Sequence, residues 1–123
     1  MMDELLDRLT RLAAEAEQAF DASAAGRSVC ALHKRGATTN RLKYCEGRDY
    51  AARRLLKAAR SATGKERLEQ VLNELERKNR AIKSSPILSG ADWQASADGV
   101  LSLVAEVRIL LEEMGEDDRQ IEN

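Results

Sequence analysis

Both cysteines and the single histidine of this 123-residue chain fall in one stretch, CALHKRGATTNRLKYC, residues 30 to 45. Cys30 and His33 have the C-x-x-H spacing by which two ligands of one turn reach one zinc ion, and Cys45 could supply a third donor. A closed tetrahedral site needs a fourth, which would have to be Glu46, Asp49 or a residue of a second chain. Charge argues against metal. Lys34, Arg35, Arg41 and Lys43 share the stretch, and concentrating a divalent cation among them is costly unless both thiols ionise. The stretch is therefore expected to be a basic connection punctuated by Gly36, with its cysteines packed as small hydrophobes and no metal or cofactor held. A disulfide between Cys30 and Cys45 is the lesser alternative, since a reducing cytosol keeps thiols free.

Catalytic constellations are scarce. There is no G-x-S-x-G, no H-E-x-x-H and no phosphate-binding glycine loop, and one histidine alone is left to activate any thiol nucleophile. Glu112, Glu113, Glu116 and Asp117 could form a magnesium-binding set on paper, but a glycine and a charged tail surround them, as in a solvated terminus. The chain reads as a non-enzyme.

The basic residues give the stronger pattern. At about 100° per residue, Tyr50, Arg53, Lys57 and Arg60 fall within roughly one quarter of a helix circumference, with Arg54 beside them. This stripe lies opposite Ala52, Leu55, Leu56 and Ala59, so its cations are expected to face outward. Arg41 and Lys43 precede it, and Lys34 and Arg35 join it if residues 30 to 45 fold back. Such a face suits the carboxylates of an acidic protein or the phosphates of a nucleic acid, with Tyr44 and Tyr50 available to anchor or stack. Its structural alternative is a solvated helix face paired with acids of neighbouring helices. A DNA-reading helix-turn-helix around SATGKE is disfavoured. Its second helix would carry Glu66, Glu69, Glu74 and Glu76 toward phosphates.

The elements that must position these residues are helices. Aromatics make up 3% of the chain and proline occurs once, at Pro86. The expected fold is an all-α, single-domain bundle of about four amphipathic helices, near residues 2 to 24, 41 or 49 to 62, 64 to 83 and 91 to 114, with an irregular basic connection at roughly 27 to 45. Leu5, Leu9, Leu12 and Ala16 mark the first stripe, and Leu68, Val71, Leu72, Leu75 and Ile82 the third. Asp49 is a candidate N-cap, Thr63 with Glu66 forms a capping box, and Ser89 with Asp92 gives a second capping signal. The last helix is apolar almost all round. Trp93, Ala97, Val100, Val104, Val107 and Leu111 form a seam, with Leu101, Leu103, Ile109 and Leu110 outside it. It is expected either to be the central helix or to meet a second copy of the chain, forming a homodimer.

Net charge is −1, yet residues 1 to 26 carry −4, residues 27 to 67 carry +9 and residues 68 to 123 carry −6. No apolar run is long enough to span a bilayer, and the acidic N-terminus lacks signal-peptide character, so a soluble cytoplasmic protein is expected. The leading expectation is a non-enzymatic adaptor or inhibitor that docks the central basic surface on an acidic macromolecule. The alternative is a nucleic-acid-binding regulator, such as a DNA-binding protein, that uses the same residues.

Overall fold

The computed structural model describes residues 2–24 and 40–122. They form four helices, α1 Met2–Ala24, α2 Asn40–Ala59, α3 Gly64–Ser84 and α4 Ala91–Glu122, with no strand among the described residues. The chain is the expected all-α bundle. Cys30, His33, Lys34 and Arg35 lie outside the described residues.

Each helix buries the stripe its spacing dictates. In α1 the buried side chains are Leu5, Leu9, Ala13, Ala16 and Ala24, while Asp3 and Glu4 complement the positive end of the helix dipole in the first turn. Helix α3 buries Leu68, Val71, Leu72 and Leu75 on one face. These residues meet Leu55 of α2 and Leu103, Val104 and Val107 of α4 in one core that draws on all four helices. Full burial of a leucine contributes roughly 1.5–3 kcal/mol, so this cluster dominates the favourable side of folding.

Four expectations about the elements need correction. Of the two starts expected for the second helix, 41 and 49, α2 takes the earlier and begins at Asn40, so residues 40 to 45 belong to the helix and not to the irregular connection. Leu42, Cys45, Asp49 and Ala52 form a continuous buried stripe, but the aspartate within it and the buried Gly47 on the face toward α4 blur the apolar periodicity. Asp49 is accordingly no N-cap. It sits in mid-helix and is 2% exposed. The Thr63 side chain makes no capping hydrogen bond; instead its carbonyl accepts from the Arg67 N–H at 2.8 Å. At α4 the first helical bond runs from the Gln94 N–H to the Gly90 carbonyl at 3.1 Å, which puts Gly90 rather than Ser89 at the cap. The turn before α4 is held by other means. The Ser85 hydroxyl accepts from the backbone N–H groups of Ile87 and Leu88, and the Gln94 amide donates to the carbonyls of Ile82 and Leu88 at 3.1 and 3.0 Å.

The centre of the bundle is α2, not the last helix. It packs extensively on α1, α3 and α4, because its small residues let neighbours come close. At its crossing with α4, a Cβ added to Gly47 would collide with the Ser96 carbonyl, and one added to Gly99 would collide with the Tyr44 carbonyl. The two backbones are in direct contact there, which requires glycine on both sides. Most of the surplus apolar face of α4 is covered within the chain. Leu103 is fully buried and Leu101, Leu110 and Leu111 are half-buried, while Trp93 and Ile109 are each 54% exposed. The helix also continues past the expected end near 114 to Glu122.

Candidate interaction surface

Because α2 is the hub, most of its circumference is covered, and what remains is a ridge between α1 and α3. Tyr50, Arg53, Lys57 and Arg60 are all exposed on that ridge, and Arg54 is half-buried beside them. The structure thus brings together five of the residues the helical spacing singled out. Arg41 and Lys43 do not join them. Arg41 lines a shallow cleft with Tyr44, Gln94 and Asp98 at the α4 side, and the Tyr44 hydroxyl is taken up by Ser102 at 2.8 Å. Lys43 is half-buried, lies 3.6 Å from Glu46, and borders a second cleft with Asp92, Trp93 and Ser96.

The ridge cations differ in how far the fold has already neutralised them. The Arg53 guanidinium reaches back 2.7 Å to the buried Asp49 carboxylate. Arg54 donates to the Tyr50 hydroxyl at 3.0 Å, lies 5.9 Å from that ring's centroid, and is 3.8 Å from Glu74 of α3. The Tyr50 hydrogen bond is the main reason the Arg54 pKa rises above its ordinary value. Lys57 and Arg60 carry no ion pair among the described residues.

Sequence spacing within one helix missed the contribution of α3. Arg67, Gln70, Glu74 and Lys78 form its edge nearest α2, all but Glu74 exposed. Lys78 donates to Glu74 at 3.0 Å, and this bond leads the causes that hold the Glu74 carboxyl below its usual range, with Arg54 and Arg67 adding to it. Glu74 is therefore a single acid ringed by three cations, and Arg67 and Lys78 widen the basic field beyond α2. Only a packed structure reveals this, because the two helices are joined through space at Arg54 and Glu74.

Below the ridge, toward α1, lies the buried carboxylate of Asp49. Burial pushes the Asp49 pKa up, Arg53 offsets part of that rise, and the carboxylates of Asp21 and Glu46 add to it. One Asp49 oxygen, Oδ1, is buried without a hydrogen-bond partner among the described residues. Cys45, one turn earlier, is a buried free thiol that accepts a hydrogen bond from the Ser23 hydroxyl at 3.3 Å. Among the described residues no group of three or more His, Cys, Asp or Glu could hold a metal ion, and no helix is long and apolar enough to cross a membrane. A search for likeness to known proteins ends without a lead: no family model, no curated protein and no solved structure matches this chain.

Proposed function

We infer that this chain is a non-enzymatic cytoplasmic binding protein, an adaptor or inhibitor, that docks the α2 ridge onto an acidic protein surface. The observation that carries this reading is the alignment of Lys57 and Arg60, exposed and free of ion pairs among the described residues, with Tyr50 and Arg53 on the face of the hub helix. Desolvating such a cation beside a partner carboxylate makes a charge-assisted bond without breaking one already formed. Tyr50, 46% exposed, offers an amphipathic anchor at the ridge.

An acidic protein fits better than nucleic acid because the basic field is mixed. Glu74 stands within it and Asp49 beneath it, and such carboxylates oppose the fixed phosphate rows of a rigid duplex, whereas flexible carboxylate side chains can settle on the cations between them. Association of two copies through α4 belongs to the same reading, supported by the exposed Trp93 and Ile109 on that helix.

Poly-glutamate and duplex DNA, each fluorescently labelled, discriminate the partners by anisotropy over a salt series. We expect poly-glutamate to bind at low salt, DNA not to bind, and the triple variant Arg53→Glu, Lys57→Glu, Arg60→Glu to lose the poly-glutamate signal. DNA binding that falls log-linearly with salt, by about 0.9 per phosphate contacted, would replace the proposal with nucleic-acid recognition. Binding of neither probe would end both.

A further inference from the structure

The pairing of two copies can be given a location. Helices α1 and α4 run antiparallel, since Arg8 meets Glu113 at 3.9 Å while Glu15 and Glu106 line the far end of the same groove. Yet the two helices pack mainly on α2 and little on each other, and the groove between them stays open. Its floor is apolar. Leu12 and Leu110 are half-buried there, and Ile109 stands 54% exposed at the middle, with charged side chains on either side. A lone large aliphatic side chain ringed by charges, over a partly covered apolar floor, has the layout of a small interface core with a polar rim.

The rim charges identify the occupant. Arg8 is engaged by Glu4 at 3.4 Å and by Glu113, and Glu106 is engaged by Arg48. That leaves Arg11 and Glu15, one helical turn apart on α1, both exposed and neither ion-paired among the described residues. A surface with one free cation and one free anion on either side of an apolar centre is complementary to itself when turned end for end. A two-fold axis lying across the groove sets Arg11 of each copy against Glu15 of the other and closes both apolar floors over Ile109. The opposite alignment would set like charges together, which is costly.

We propose that the α1–α4 groove centred on Ile109 seats a second copy of this chain in an isologous, antiparallel homodimer. The proposal rests on the reading that two copies associate, and it moves the contact from α4 alone to α1 and α4 together. Sedimentation equilibrium of the full chain at tens of micromolar tests it. The wild type is expected at twice the 13.6 kDa chain mass. Ile109→Asp, at a site exposed within one chain, is expected to keep its helical spectrum and melting temperature and to sediment as a monomer. Arg11→Glu or Glu15→Arg alone should weaken association roughly tenfold or more, and the two together should restore it, because the reversed pair is again complementary. A dimer that survives Ile109→Asp overturns the groove while leaving association intact. A monomeric wild type overturns both, and neither result touches the binding of poly-glutamate by the α2 ridge, which Ile109→Asp should retain.

Discussion

Asp49 is a carboxylate buried in the middle of α2, 2% exposed, with Arg53 one turn on as its ion-pair partner. An aspartate ahead of an alanine-rich run is what a helix start normally looks like, but here the helix already extends nine residues upstream, from Asn40. Burial of a carboxylate at the α1–α2 seam cannot be read from spacing, because it costs stability and is offset only by the Arg53 contact. It has a measurable signature. The folded pKa is raised above the unfolded value, so the favourable contribution is complete below the ordinary aspartate range and is lost as pH rises through the raised value. Asp49→Asn removes this dependence. In urea unfolding, its stability relative to the wild type is expected to improve as pH rises from about 4 through the raised value and then to level off, and a difference that stays constant or shrinks over that rise would contradict the burial account. The glycines make a second residue-scale test. A methyl group at Gly99 must displace the Tyr44 carbonyl, a strain of about 1–3 kcal/mol against a helix-propensity gain of about 1, so Gly99→Ala is expected to destabilise. Gly115 has open space where a Cβ would go, and Gly115→Ala is expected to stabilise by about 0.5–1 kcal/mol. Equal effects at the two positions, measured by urea midpoint, would refute the close crossing of α2 and α4.

At the scale of the elements, strong periodicity was legible and weak periodicity was not. Helices α1 and α3 follow directly from leucines and valines at spacings of three and four, since each such residue adds enough apolar area to define a face. Helix α2 uses Cys45, Gly47, Ala51, Ala52, Ala58 and Ala59 among its buried positions, which add little hydrophobicity but permit close approach. The spacing therefore leaves its start open between 41 and 49, and gives its place at the centre of the bundle to the more apolar α4. The same physics explains why the face of α4 looked too wide for one chain. Leu103 and Val107 are fully buried against neighbours that small residues on α2 bring within reach, and Ile109 is left on the outside. Capping signals were least informative. Thr63 forms no side-chain cap, and the turn before α4 is tied by Ser85 and Gln94, whose hydrogen bonds depend on a fold that spacing alone does not reveal.

For the whole molecule, the charge segregation in the sequence survives folding as surface chemistry. Among the described residues, the part of the central basic block from Arg53 to Arg60 becomes the exposed ridge of α2, flanked by acids of α1 and by a mixed edge of α3. Tyr50, Arg53, Lys57 and Arg60 were legible as one face because they share a helix, whereas Arg67 and Lys78 join them only through the α2–α3 packing. Arg41 and Lys43 are near in sequence yet line the clefts toward α4. The surfaces proposed for an acidic partner and for a second copy lie apart, one between α1 and α3 and the other between α1 and α4, so both can be engaged at once. Perturbation of backbone amide resonances on titration with poly-glutamate maps the binding face most directly. The account predicts shifts concentrated at Tyr50, Arg53, Arg54, Lys57 and Arg60 and extending to Arg67 and Lys78, with Arg11, Glu15 and Ile109 unmoved. Shifts absent from the α2 ridge, or centred on the α1–α4 groove instead, would contradict it.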